Sequence, residues 1–222
     1  MYSPRWNIKG HFDVLCINKK TGETILSDFK SKNSKAFTYM DYKKQGASHH
    51  QKLQVLSYMM MINEYGFSLP DSMVPDVNTF YDPADYRVHE WLQQNAVIAG
   101  TTLKQDGKPK EVWKLKRQVT NGSLYYISKD DQRTLEYPVS TNDTKLVRDL
   151  ELEIGEMNDA WNKQRAPQAY PKSEWQCKYC RFCNTKLDKT DPNSKGLCEN
   201  LDDPQVVKDL FKLVAEHRTG SK

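Results

Sequence analysis

The stretch from about Ser48 to Tyr65, SHHQKLQVLSYMMMINEY, constrains the fold more than any other part of the chain. Leu53, Leu56 and Met60 make one apolar row at helical spacing, and Val55, Met59 and Ile62 make a second. A helix that is apolar around most of its circumference has to be buried. Gly66 follows as the residue that ends it. One stripe stays polar, because His50, Gln54 and Tyr58 recur every four residues and share a face. Polar groups on a buried helix need partners. An active site on an adjacent sheet would supply them.

The sheet is read just upstream. Residues 6–18, WNIKGHFDVLCIN, predict a strand with Gly10 as a local break. NKKTGE has turn chemistry, and TILSDFKSK returns, so the whole is a hairpin of about thirty residues. Strand side chains alternate between faces, which puts Asp28 and Lys30 on the same side. Asp13 lies on the partner strand. Two carboxylates brought together are costly unless a cation sits between them. A hard divalent ion, Mg²⁺ or Mn²⁺, suits such a pair. A neighbouring lysine can orient or deprotonate a metal-bound water and neutralise an anionic transition state. Those are the parts needed for phosphodiester hydrolysis. A D-x-K pair alone is more often a solvated strand face; the order of Asp13, Asp28-x-Lys30 and Gln54-x-x-x-Tyr58 is what separates this chain from that case.

Elsewhere the pattern is mixed. KAFTYMDYKKQGA is a connection without a clear period, and residues 67–76 form a loop with two prolines. VNTFYD and YRVHEWL predict short strands around a DPAD turn. Residues 97–139 predict an added β region built from EVWKLKRQV, SLYYISK and TLEYPVS. Residues 142–165 predict a long helix, APQAYPKSEW an extended link, and DPQVVKDLFKLVAEH a short final helix. The class is therefore α/β, a mixed sheet flanked by helices. A core over residues 1–170 is followed by a cysteine-rich segment over 171–222.

With charged residues at 28% and hydrophobic ones at 37%, the composition is that of a soluble globular chain. No apolar run reaches membrane-spanning length, so no membrane partner is expected. The opening MYSPRWNIKG lacks the apolar core of a signal peptide. The net charge of +4 permits a nucleic-acid partner without requiring one. Of five cysteines, Cys177, Cys180, Cys183 and Cys198 are spaced C-x2-C-x2-C-x14-C. Four such thiolates can close a tetrahedral Zn²⁺ site or hold an iron–sulfur cluster. Without a secretory signal, that density points to metal rather than disulfides.

Gly10-His-Phe-Asp13, then Asp28-Phe-Lys30, then Gln54-Val-Leu-Ser-Tyr58 resembles the motif series of RecB-type nucleases, members of the PD-(D/E)xK or restriction-endonuclease-like superfamily. The likeness is to the exonucleases of tailed phages and to CRISPR-adaptation nucleases. It implies a restriction-endonuclease-like sheet. It also implies that Asp13 and Asp28 hold the metal with the Phe29 carbonyl, that Lys30 is the catalytic lysine, and that Gln54 and Tyr58 position phosphate or the lysine. It favours a four-iron four-sulfur cluster at the cysteines, clamping the C-terminal segment, and leaves Zn²⁺ as the other choice. A cytoplasmic setting, in a bacterium or a phage-infected host cell, follows from the same resemblance. Members usually carry a helix ahead of the G-x-x-D strand; only nine residues precede Gly10 here, so that helix is expected to be absent.

Two basic groups flank these motifs. Lys19, Lys20, Lys30, Lys32, Lys35, Lys43 and Lys44 crowd the first, with Tyr39 and Tyr42 among them. Lys104, Lys108, Lys110, Lys114, Lys116 and Arg117 form the second, with Trp113 interleaved. Cations mixed with aromatics suit backbone contacts and base stacking on single-stranded DNA or frayed duplex ends. The expected activity is a metal-dependent DNA exonuclease of replication, recombination or repair, working alone or with a replication or recombination protein. The rival is a non-catalytic DNA-binding or assembly module that keeps the same fold. A zinc-ribbon interaction protein is a third reading, and it leaves the Gln54–Tyr58 stripe unexplained.

Overall fold

A computed structural model of the chain describes residues 1–163, apart from 19, 45, 70–82 and 104–108. It divides into two compact units, Met1–Leu152 and Glu153–Lys222. The described part of the second unit is the end of one helix, closed by an ion pair between Lys163 and Asp159 at 2.9 Å. No helix among the described residues is long and apolar enough to cross a membrane.

The first unit is a mixed α/β structure. Its main sheet has the order β3-β4-β7-β8. β3 is Val14–Ile17, β4 Thr24–Lys32, β7 Asn121–Ser128 and β8 Thr134–Ser140. β3 runs antiparallel to β4, β4 parallel to β7, and β7 antiparallel to β8. The expected hairpin is present, yet its first arm is shorter than the sequence suggests. Tyr2–Ser3 (β1) and Ile8–Lys9 (β2) pair with each other instead of with β4. The break falls at Gly10, which exchanges backbone hydrogen bonds with Met1 at 2.9 and 3.1 Å.

The region expected as a β addition divides in two. Ala96–Leu103 (β5) and Pro109–Leu115 (β6) make their own antiparallel ribbon, whereas β7 and β8 belong to the main sheet. β7 begins ahead of the expected SLYYISK strand, with Asn121 and Gly122 in register with Ile25 and Leu26. β5 itself, AVIAGTTL, was not anticipated.

Two further expectations are corrected. YRVHEWL is not a strand but part of helix α3, Pro83–Asn95. A proline suits the first helical position, and Leu92, at 1% exposure, anchors the inner face. The ambiguous KAFTYMDY lies in helix α1, Ser34–Tyr42, started by Asn33, whose side chain accepts from the Ala36 N–H at 2.8 Å. Phe37 and Met40, three residues apart, form its buried stripe.

The predicted buried helix is α2, His49–Tyr65. Gly66 ends it at φ +79°, where a Cβ would lie 2.3 Å from the Trp113 carbonyl oxygen, so only glycine fits. Phe67 then pairs with Trp113 of β6, N to O at 2.9 and 2.7 Å, tying the ribbon to the end of α2. α4, Thr144–Asn162, matches the predicted long helix, and the Asp143 carboxylate caps it by accepting from the Leu146 N–H at 3.0 Å.

α2 covers one face of the main sheet. At Gly122 a Cβ would meet Val55 Cγ1 at 2.9 Å and Met59 Sδ at 3.0 Å, so the missing side chain is what lets helix and sheet approach. Leu26, Leu124, Val55, Leu56, Met59 and Ile62 are all fully buried in this layer. Each such side chain contributes about 1.5–3 kcal/mol relative to leaving it in water. β4 therefore presents Leu26, Asp28 and Lys30 on the face that carries the core, and Phe29 on the other.

Candidate active site

Asp28 lies in the middle of β4, beside Leu124 of β7, and is 2% exposed. A buried carboxylate needs a compensating charge. Lys30, two residues on and on the same face, provides it, with Nζ 2.8 Å from Asp28 Oδ2. By distance this is an ion pair; by direction it is not a hydrogen bond, and Asp28 Oδ2 meets no hydrogen-bond donor of its own among the described residues. The lysine side chain is 26% exposed against 3% for the aspartate, so the pair opens towards solvent on the ammonium side.

Asp13 sits just before β3, and its Oδ2 accepts from the Phe29 N–H at 2.9 Å. That bond fixes the Asp13 carboxylate one peptide unit from Asp28. Asp13 is thus bonded to the backbone of Phe29, between the two residues of the Asp28–Lys30 ion pair. Among the described residues no three His, Cys, Asp or Glu side chains converge in a way that would hold a metal. The donor set still fits a hard divalent ion. The Oδ2 of Asp28 is buried without a hydrogen-bond donor, a second carboxylate is adjacent, and Mg²⁺ is commonly held by one or two carboxylates with water and substrate phosphate completing its shell.

Gln54 and Tyr58 are joined as their spacing suggests: Gln54 Nε2 donates to Tyr58 Oη at 2.8 Å. The Tyr58 ring lies against Gly10, where a Cβ would be only 2.6 Å from Tyr58 Cε1. The glycine of G-x-x-D is therefore the surface on which the helix tyrosine rests, three residues from Asp13. His50, the remaining member of the polar stripe, is exposed at the N-terminal end of α2. His49 Nε2 stands 3.6 Å from Asp149 of α4.

One component was not legible in the sequence. Tyr126 of β7 is in register with Lys30 and is 1% exposed. Its hydroxyl accepts from the Ser48 N–H at 3.1 Å and donates to Gln51 Oε1. The Lys32 ammonium lies 5.0 Å from its ring centre. Burial holds the phenol pKa above its usual 10.0, the Asp28 charge acts the same way, and the Ser48 N–H and the Lys30 charge oppose it. Tyr126 thereby ties the N-terminus of α2 to the strand beside Lys30. Nothing local marks it, because the parallel pairing joins residues almost a hundred positions apart.

The expected nucleic-acid surface is partly rearranged. Tyr39 and Tyr42 on α1 are 59% and 77% exposed, on the helix that follows Lys32 directly. Trp113 is not a stacking platform: it is 5% exposed and packs its ring edge against His89 at 5.6 Å. Lys19, Lys104 and Lys108 lie outside the described residues, as do Cys177, Cys180, Cys183 and Cys198. Cys16, the remaining cysteine, is an exposed free thiol on β3. No family model matches this chain, and no curated protein matches it closely.

Proposed function

We propose that this chain is a metal-dependent DNA nuclease of the restriction-endonuclease-like kind, hydrolysing phosphodiester bonds at single-stranded or frayed ends. The observation that carries the reading is the buried Asp28–Lys30 ion pair, open to solvent on the lysine side, with the Asp13 carboxylate bound to the next residue of the strand. A buried ion pair is costly unless its geometry compensates the lost hydration; this one sets the Lys30 ammonium 2.8 Å from Asp28 Oδ2 and keeps a solvent-facing side, where a phosphate would meet the lysine. Asp13 and Asp28 would hold Mg²⁺ or Mn²⁺, with the Phe29 carbonyl as a further donor. When bound, the ion polarises phosphate and acidifies water. Lys30, on the open side, offers its ammonium to the charge that builds on the phosphoryl oxygens. Gln54 and Tyr58 brace the Gly10–Asp13 segment, and Tyr126 holds the end of α2 beside Lys30. Exposed Tyr39 and Tyr42 suit base stacking next to that opening. An iron–sulfur cluster or Zn²⁺ at Cys177, Cys180, Cys183 and Cys198 belongs to the same reading, as a clamp on the C-terminal segment.

A second reading, a DNA-binding or assembly module without catalysis, is favoured by one observation. Among the described residues no three His, Cys, Asp or Glu side chains come together as a metal-ligand set. End-labelled single- and double-stranded DNA, incubated with Mg²⁺, Mn²⁺ or EDTA, separates the two. Cleavage that needs the metal and is lost in Lys30→Ala establishes the nuclease. Binding without cleavage selects the module.

A further inference from the structure

At the opposite end of β4 from Asp28, a cleft of about 330 Å³ opens between the β3–β4 turn, the end of α3 and the end of β6. Four residues of extended strand separate Thr24, in its wall, from Asp28, roughly 13 Å. It is lined by Lys20, Gly22, Trp91, Asn95, Lys116 and Arg117 among others, and by no carboxylate. The acidic residue nearest in sequence, Glu23, accepts from Asn121 Nδ2 at 2.7 Å.

The cations are held in place by backbone rather than by opposite charge. Lys116 Nζ donates to the Gln94 carbonyl at 2.7 Å, and Arg117 Nη1 to the Thr21 carbonyl at 3.2 Å. None of Lys20, Lys116 and Arg117 forms an ion pair with a carboxylate among the described residues. The turn is itself organised, with Asn18 Oδ1 accepting from the Lys20 and Thr21 N–H groups at 3.0 and 3.3 Å. Gly22, at φ +69°, makes room for the guanidinium, since a Cβ there would lie 2.9 Å from Arg117 Nη1. A lysine has three donors and an arginine five, so each keeps donors for a ligand after its one carbonyl contact.

We propose that this cleft binds one nucleotide unit, with its phosphate on Lys20, Lys116 and Arg117 and its base at Trp91. The volume sits at the low end of small-ligand sites, which suits one nucleotide and excludes a duplex. Three unpaired cations select an anion, and an aromatic wall selects a ring attached to it. The unit can belong to a single strand running along β4 from the Asp28 end, or be a free nucleotide. Binding here is independent of cleavage at Asp28 and Lys30.

The test uses the full chain in EDTA, a short fluorescein-labelled oligothymidylate read by anisotropy across a salt series, and thymidine monophosphate as competitor. Lys116→Gln with Arg117→Gln is expected to weaken oligonucleotide binding about tenfold and to flatten the dependence of log Kd on log salt by up to about 0.7, the one phosphate held here on a single strand. Lys20→Gln, on the exposed turn, is the second variant. It is expected to weaken binding and lower the slope in the same direction by a smaller amount, and it decides the matter if the double variant fails to fold by circular dichroism. A change in monophosphate binding without a change for the oligonucleotide assigns the cleft to free nucleotides; the reverse assigns it to strands. Wild-type affinity and slope for both ligands in the folded variants overturn the proposal. Cleavage is assayed separately with Mn²⁺, so an inactive protein whose binding still depends on Lys116 and Arg117 removes the nuclease reading alone.

Discussion

The two faces of β4 differ more than its alternating sequence suggests. On the α2 side, Leu26 and Leu124 exclude water, and Asp28 and Lys30 are set into that apolar layer beside Tyr126. On the other side, Phe29 is 41% exposed and stacks on Tyr125 with ring centres 5.3 Å apart. Next to it, Ser123 Oγ donates to Glu136 at 2.6 Å. The covered face puts charge where the dielectric is low and each interaction is strong; the open face puts comparable polar groups where water weakens them. Chemistry belongs on the first face, and tolerance to substitution on the second.

The sharpest way to break this contrast is Asp28→Asn. It keeps shape and removes charge, so metal-dependent cleavage should fall by about 10²–10³-fold while the circular dichroism spectrum stays that of the wild type. Cleavage that survives the substitution would take the site off this face. Gly122→Ala comes next. It adds a Cβ 2.9 Å from Val55 Cγ1 and 3.0 Å from the Leu26 carbonyl, so it overpacks the α2 contact. The cost is about 1–3 kcal/mol, a Tm lower by about 3–10 °C in a calorimetric scan.

On the open face, Phe29→Ala loses a stacked pair and should cost about 0.5–1.5 kcal/mol in urea unfolding, with the N–H contact to Asp13 retained because it is a backbone group. The smallest effect concerns Glu136. The Ser123 hydroxyl first, and then the Tyr125 hydroxyl, hold its carboxyl below its usual 4.5. A lowered carboxyl pKa adds stability above the ordinary value, and that stability is lost as pH falls below about 4.5 towards the folded value. Glu136→Gln should therefore lower Tm slightly at neutral pH, leave it unchanged in acid, and so shallow the fall of Tm below pH 4.5. An equal slope in both proteins would show that this face contributes nothing to acid sensitivity.

Much of this was readable before any coordinates. The apolar rows of residues 48–65 allowed only a buried helix, and Gly66 ended it where expected. The Asp28–Lys30 alternation and the Gln54–Tyr58 spacing predicted that each pair shares a face, and both do; the expectation that the helix stripe finds its partners on the sheet missed that Gln54 and Tyr58 bond each other. These are local periodicities, and a helix or strand fixes them within a few residues. YRVHEWL failed as a strand because a short run rich in β-formers has no decisive period. Its helix is set by Pro83 at the start and by burial of Leu92.

The sequence by itself therefore determined the elements that carry Asp28, Lys30, Gln54 and Tyr58 and the order in which they occur. Tertiary structure alone decided which strands share the sheet. Ser123 to Ser128 lie beside Ser27 to Lys32 through a parallel pairing that no turn signal announces. That pairing brings Tyr126 to Lys30, while the packing of the β5–β6 ribbon buries Trp113 and places Lys116 and Arg117 beside Lys20 around one cleft. The physical reason is range. Propensity and periodicity act over a few residues, whereas burial and strand pairing act between segments that meet only once the core has closed.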